Sequence, residues 1–291
     1  MPRARRTLVM GVLNLTPDSF SDGGLLKGEE QALRRARQMV RQGADVLDLG
    51  AQSTRPGAGQ VGAAEELRRL LPALRSIRAA FPRRTVDGAA EKAGPLLSVD
   101  TFHAAVAEAA LAAGADWIND VRGANLTATA AGGSLRDPAM AALVAAAGCP
   151  YVVMHSRGDS LSMDGLASYG DVVAEVREEL LRATEHALAA GVRSDQLLWD
   201  PGLGFAKTTD QNLSLLRRLR ELGREGFPLL VGPSRKRFIG AVLDEPRPRA
   251  RLWGTAAVCA LAIGEGARVL RVHDVGPIVQ TARMAEAVAQ S

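Results

Sequence analysis

Short apolar runs of strand length recur along this chain, each separated from the next by a longer stretch with helical periodicity. No other feature limits the possible folds as strongly. The runs occupy 8–13, 46–49, 96–99, 117–118, 151–154, 197–199, 229–231 and 269–272. Helical patterns cover 29–42, 63–80, 103–113, 138–147, 171–190, 210–222, 250–263 and 277–290. Runs that stay apolar without in-and-out alternation suit strands covered on both faces, and strands joined by crossover helices pair in parallel. Eight such units in 291 residues fit a closed (β/α)8 barrel, the α/β TIM-barrel class, better than an open doubly wound sheet. A chain of this length also leaves room for two domains, but the unbroken strand–helix order and a hydrophobic content of 47% favour a single domain over 1–291.

The joints support the alternation. Gln42-Gly43-Ala44-Asp45, Ala113-Gly114-Ala115-Asp116, Ala190-Gly191-Val192 and Glu265-Gly266-Ala267-Arg268 each place a glycine where a helix must end before a strand begins. Glycine supplies the left-handed C-cap there, so these are structural glycines rather than cofactor loops. Two polar or small-residue stretches, 83–94 and 122–136, are longer than such joints require and read as solvated insertions.

Charge and composition narrow the function classes. A formal charge of +4 is small for this length, and the arginines are spread along helical stretches rather than clustered with aromatics, which favours a solvated face over a nucleic-acid surface. No apolar run approaches the length of a membrane span, and the basic start lacks an apolar stretch behind it, so a soluble cytoplasmic protein is expected. Cys149 and Cys259 lie in Ala/Val-rich stretches without CxxC spacing and read as reduced core thiols.

In a barrel of this kind the ligand site lies at the C-terminal ends of the strands, and those ends are polar. Strand one ends in Asn14, two runs near Asp48, three ends in Asp100, four in Asn119-Asp120, five in His155, six in Asp200, seven in Ser234-Arg235-Lys236 and eight in Arg271-Val272-His273-Asp274. Asp100 before Thr101 has a plain alternative as a helix N-cap. The ensemble has none, because Asp100, Asn119, Asp200, Lys236 and Arg271 come from five strands and converge on one mouth. Carboxylates and an amide together can accept from the adjacent N–H groups of an aminopyrimidinone ring, and the lysine can donate to its carbonyl. Arg55, Arg271 and His273 form a cationic set that, with the side-chain oxygen of Asn14 open to a hard cation, suits pyrophosphate and Mg2+. Neither a Walker A sequence nor GxGxxG accompanies them, which argues against nucleoside triphosphates and dinucleotides. His103 and His186 fall on helical stretches and read as packing or surface residues.

At these positions the chain resembles the dihydropteroate synthases. Gly11-Val12-Leu13-Asn14-Leu15-Thr16-Pro17-Asp18-Ser19-Phe20-Ser21-Asp22-Gly23-Gly24 is similar to that family's first signature and Ser53-Thr54-Arg55-Pro56-Gly57 to its second. Ser98-Val99-Asp100-Thr101, Ile118-Asn119-Asp120-Val121, the stretch from Asp200-Pro201-Gly202 to Phe205-Ala206-Lys207-Thr208, Ser234-Arg235-Lys236 and Arg271-Val272-His273-Asp274 follow in the family's order. The resemblance implies that Asp100, Asn119, Asp200 and Lys236 hold a pterin, with Val121, Met154 and Gly232 lining its slot. It further implies that Asn14, Arg55, Arg271 and His273 hold pyrophosphate and Mg2+, with Asn14 the metal ligand. Thr54, Arg55, Pro56, Phe205, Ser234 and Lys236 would form the 4-aminobenzoate side, and Asp18, Phe20 and Ser21 would belong to a mobile first loop. Asp100, Asp200, Lys236, Arg55 and Arg271 are then the catalytic set, and a homodimer is implied. Gln52, where many members have glutamate, and Ser156-Arg157-Gly158 are departures that remove none of these contacts. The pterin-binding barrel of a corrinoid-dependent methyltransferase is the nearest alternative, and a pterin-binding paralogue without activity is another.

Overall fold

The computed structural model describes residues 6–16, 25–52, 59, 61–83, 94–127 and 135–290. Among them eight parallel strands close into a barrel in chain order. These are β1 (Leu8–Asn14), β2 (Val46–Gly50), β3 (Leu96–Asp100), β4 (Trp117–Asp120), β5 (Tyr151–Met154), β6 (Leu197–Asp200), β7 (Leu229–Val231) and β8 (Ala267–Val272). Closure comes from β8, whose Val269 to Val272 register with Leu8 to Gly11 of β1.

The helices are α1 (Leu25–Arg41), α2 (Ala63–Ala80), α3 (Ala104–Ala112), α4 (Ala139–Ala147), α5 (Val172–Ala189), α6 (Thr209–Arg217), α7 (Leu219–Gly223), α8 (Arg237–Leu243), α9 (Leu252–Gly264) and α10 (Val275–Gln290). The helical pattern expected over 210–222 is broken at Arg218, whose backbone leaves the helix while its guanidinium reaches Asp171 and Glu221. The helix expected over 250–263 begins at Leu252, directly after the one-turn 3-10 helix Pro248–Arg251, and α8 is an additional short helix after the seventh strand. Of the two long stretches, 84–93 and 128–134 lie outside the described residues. The joint glycines do end the helices: Gly43, Gly114, Gly191 and Gly266 have φ of 98°, 108°, 94° and 99°, a region that a Cβ would disfavour.

Packing separates into two layers. Between strands and helices lies the larger core, with Leu47, Leu49, Leu97, Val99, Ile118, Trp199 and Leu270 fully buried against the helix faces. Inside the barrel a separate cluster of Met10, Val46, Trp117, Val152, Leu198, Leu230 and Val269 closes the lower half. Side chains on a strand alternate between faces, so the next inward position is two residues further on. Those positions are Val12, Asp48, Asn119, Met154, Asp200, Gly232 and Arg271. The apolar plug therefore sets a mostly polar layer directly above it, at the C-terminal ends of the strands. Among the described residues no helix is long and apolar enough to cross a membrane. Cys149 and Cys259 are buried free thiols.

One buried polar contact ties the sheet to its outer layer. The indole N–H of Trp199, on β6, donates to Thr184 Oγ on α5 at 2.9 Å, and both residues are buried. Thr184→Val keeps the shape and strands the indole donor, which should lower unfolding stability by about 1–3 kcal/mol in urea titrations followed by tryptophan fluorescence.

Candidate active site

Arg271 organises the mouth. Its Nε donates to Asp48 Oδ2 and its Nη2 to Asp100 Oδ2, each at 2.6 Å. Burial works against the arginine's charge, but the two carboxylates outweigh it and raise its pKa. Burial also pushes the Asp100 carboxyl up, against the pull of Arg271, because one guanidinium serves two carboxylates and Asp48 adds repulsion. Asn119 donates from Nδ2 to Asp48 Oδ2 at 3.2 Å. Asp48 Oδ1, Asn119 Oδ1 and Ser98 Oγ are buried with no hydrogen-bond partner. A buried acceptor left unpaired costs about 1–3 kcal/mol, so this wall calls for N–H donors from a ligand.

Opposite stand Asp200 and Lys236. Asp200 Oδ1 accepts from the Gly202 amide at 2.7 Å, and burial raises its pKa. Burial lowers the Lys236 ammonium to about 8, with Asp200 opposing the shift. Lys236 Nζ lies 4.1 Å from the centre of the Phe205 ring, a cation–π contact. Between these walls is a cavity of about 320 Å³ bordered by Asn119, Val121, Met154, Asp200, Phe205, Gly232, Lys236 and Arg271. Val121 and Phe205 also border a second cavity of about 360 Å³, which extends toward Gln52, Phe102 and Arg122. The first is a slot with apolar faces and a polar edge, suited to a flat heterocycle that offers donors along one side.

The N-cap alternative for Asp100 does not hold. The first amide of α3, that of Ala104, is met by Asp137 Oδ2 at 2.8 Å, leaving the Asp100 carboxylate to Arg271. Asp120 faces away from the slot, where its Oδ2 accepts from the Tyr151 hydroxyl. Ser234 Oγ accepts from the His273 backbone N–H at 3.1 Å and lies 3.0 Å from its Nδ1. Burial and the nearby Arg235 and Arg271 press the His273 imidazole down to about 3, so it is neutral and belongs to the site as a hydrogen-bonding ring rather than as a third cation. Asn14 ends β1 in register with Gly50, which is itself in register with Asp100.

The sequence matches the pterin binding enzyme family over residues 10–273. It is 44% identical over 284 residues to the dihydropteroate synthase of a Synechocystis species, an alignment that covers 98% of this chain and 91% of that one. The solved structure of Xanthomonas albilineans dihydropteroate synthase with 4-aminobenzoic acid superposes with a TM-score of 0.85 at 40% identity, covering 98% of this chain and 94% of the other. The same enzyme in complex with 7,8-dihydropteroate gives 0.82 at 38% identity, with 98% and 95% covered. The chain belongs to the dihydropteroate synthase family.

Of the positions that dihydropteroate synthase resemblance marks, the structure brings Asp100, Asn119, Val121, Met154, Asp200, Phe205, Gly232, Lys236 and Arg271 around one slot. Thr54, Arg55 and Pro56 of the second loop and Asp18, Phe20 and Ser21 of the first lie outside the described residues. Three kinds of residue are added. Asp48 is the carboxylate that shares Arg271, and its signal is visible in the chain as a lone charge inside the apolar run Val46-Leu47-Asp48-Leu49. Ser98, inward on β3, contributes an unpaired hydroxyl. Behind Asp200, His155 is fully buried between Glu179 and Lys207, with Nε2 2.9 Å from Glu179 Oε2 and Nδ1 2.9 Å from Lys207 Nζ. No local pattern singles out Glu179, which lies on α5 amid other charges.

Burial, helped by the Lys207 charge, lowers His155 from 6.5 to about 4. Between those values the unfolded chain takes up a proton that the folded chain refuses, so the contribution is present above 6.5 and lost as pH falls to 4. The loss amounts to roughly 3 kcal/mol. Denaturant titrations from pH 7 to 4 should show this fall, and His155→Gln should flatten it.

Proposed function

We infer that this chain condenses 6-hydroxymethyl-7,8-dihydropterin pyrophosphate with 4-aminobenzoate, giving 7,8-dihydropteroate and pyrophosphate in folate synthesis. The observation that carries this reading is the match between the slot and the pterin: unpaired acceptors at Asp48 and Asn119, with Asp100 and Asp200 beside them, face the ring's amino and N–H edge. Lys236 stands at the same slot as a donor for the ring carbonyl. The methylene C–O bond breaks with its electron pair leaving on pyrophosphate, and the arylamine nitrogen forms the new C–N bond and gives up a proton. A free arylamine is already a nucleophile at neutral pH, so no separate general base is needed.

Asp100 and Asp200 favour the electron-poor pterin as the C–O bond lengthens, and Arg271 with Arg55 neutralises the charge gathering on the leaving group. Asn14, which ends β1 in register with Gly50, would hold Mg2+ through its amide oxygen. One protein oxygen suits a cation that keeps most of its shell for water and phosphate oxygens. Mg2+ bound there supplies further charge neutralisation at the pyrophosphate. Thr54, Arg55, Pro56, Phe205, Ser234 and Lys236 form the aminobenzoate side. Asp18, Phe20 and Ser21 of the first signature would help exclude water that would otherwise capture the pterin cation.

A homodimer in the cytoplasm completes the reading. Trp253, Ala257 and Leu261 form an exposed stripe on α9, continued by the exposed Val242 and Leu243 of α8, and Trp253 is 77% exposed. A helix this apolar on its outer face is suited to burial against a second copy. Buried free thiols suit a reducing compartment. Sedimentation velocity should give a dimer, and Trp253→Glu with Leu261→Glu should give a monomer. A monomeric unaltered chain overturns the assignment.

Pyrophosphate release from the dihydropterin substrate with Mg2+ should depend on added 4-aminobenzoate. Pterin binding without release removes the catalytic claim. Asp200→Ala and Lys236→Ala should each weaken pterin binding by roughly 2–3 kcal/mol in calorimetry, about 30- to 150-fold. Because Lys236 is charged below about 8 and neutral above, pterin affinity should fall as pH rises through that value, and Lys236→Met should abolish the step.

A further inference from the structure

The turn between β6 and α6 is held in a conformation it would not adopt alone. Gly202, Gly204 and Ala206 all have positive φ, at 66°, 75° and 48°, and Ala206 pays a steric penalty that glycine does not. At Gly202 a Cβ would lie 1.8 Å from the His155 carbonyl oxygen, so only glycine lets this turn pass β5. Four peptide groups of the turn are held by side chains. Lys207 Nζ donates to the carbonyls of Gly202 at 3.1 Å and Phe205 at 3.0 Å, and it lies 2.9 Å from His155 Nδ1. The Tyr169 hydroxyl donates to the Ala206 carbonyl, and Asn212 Oδ1 accepts from the Gly204 amide.

Burial lowers Lys207 to about 7, opposed by Asp200 and Glu179, and its three contacts are those the ammonium form satisfies. Three acceptors surround Nζ, two carbonyl oxygens and an imidazole nitrogen, and only an ammonium has three hydrogens to offer. With Lys207 as the ammonium, His155 accepts at Nδ1 and carries its proton on Nε2, where it donates to Glu179. Glu179 is kept ionised by Arg157, whose Nε donates to its Oε1 at 3.1 Å. A buried line therefore runs from Arg157 through Glu179, His155 and Lys207 to the carbonyl of Phe205. Phe205, with Val121, borders both cavities and lies against Lys236.

We propose that Lys207 is a positioning residue for the arylamine substrate: its ammonium, backed by His155 and Glu179, clamps the strained turn that sets the Phe205 ring against Lys236. The proposal rests on Phe205 lining the aminobenzoate side, as inferred above. Lys207 itself is buried behind the turn and is not among the residues bordering either cavity.

Lys207→Met, nearly isosteric and uncharged, tests it in the full-length chain. Removing one member of a buried, hydrogen-bonded charged set is destabilising, so the variant's folding is checked by circular dichroism before its kinetics are read. The expected result is a KM for 4-aminobenzoate raised at least tenfold, with kcat changed less and pterin affinity within threefold of the unaltered protein. Adding Lys207→Met to Phe205→Ala should then raise KM by less than twofold further, because the clamp acts through Phe205. An unchanged KM in folded Lys207→Met overturns the proposal, as do effects of the two substitutions that multiply. If Lys207→Met does not fold, His155→Gln replaces it. Loss of the imidazole's support at Lys207 should raise the arylamine KM at least threefold with little effect on pterin affinity, and an unchanged KM again overturns the clamp. If the unaltered chain shows no arylamine-dependent turnover, the functional reading itself fails and takes the clamp with it; turnover with normal variant KM removes the clamp alone.

Discussion

Four of the polar groups at the barrel mouth stand two residues beyond an apolar one in the same strand. Val46 carries Asp48 above it, Trp117 carries Asn119, Leu198 carries Asp200 and Val269 carries Arg271. The lower cluster excludes water from the barrel interior, and the upper layer then meets a low-dielectric floor. That floor is why burial pushes the Asp100 carboxyl up and why the guanidinium it shares with Asp48 holds its proton so firmly. Strand closure makes the arrangement rigid, because no strand can slip register without turning its inward residues outward.

The charges at the mouth are balanced locally rather than over the protein as a whole. Arg271 bridges Asp48 and Asp100 on one wall, while Lys236 faces Asp200 on the other. The acceptors that remain unpaired are the ones a donor-rich ring edge would satisfy. Binding then replaces a desolvation cost already present in the folded protein with hydrogen bonds, which favours a ligand of matching pattern over a merely flat one. The same economy explains the neutral His273: with Arg235 and Arg271 nearby, a third charge there would lack a partner.

Behind the slot, a different set of charges holds shape instead of ligand. The turn carrying Phe205 contains a strained alanine and two left-handed glycines, and its carbonyls have no strand or helix partners of their own. Lys207 donates to the carbonyls of Gly202 and Phe205, Tyr169 donates to that of Ala206, and Asn212 accepts from the Gly204 amide. A rigid apolar wall bordering both cavities thus depends on a buried ammonium, placed where the elements after β5 and β6 meet.

The sequence by itself determined the alternation of strands and helices, the polar strand ends and the family to which they belong, because each is written locally: a period, a glycine cap, a signature loop. It also contained Asp48, as a single charge in an apolar strand. What it could not rank were charges whose roles depend on distant partners. Asp100 could have capped α3 until Asp137 was found there, and Asp120, beside Asn119, turns out to face Tyr151. Glu179 and His155 are 24 positions apart, and Lys207 is 52 from His155, so their line of hydrogen bonds exists only once the barrel closes. Periodicity tells which face a residue takes, whereas which charge meets which is decided by strand order and register, and those are properties of the closed sheet alone.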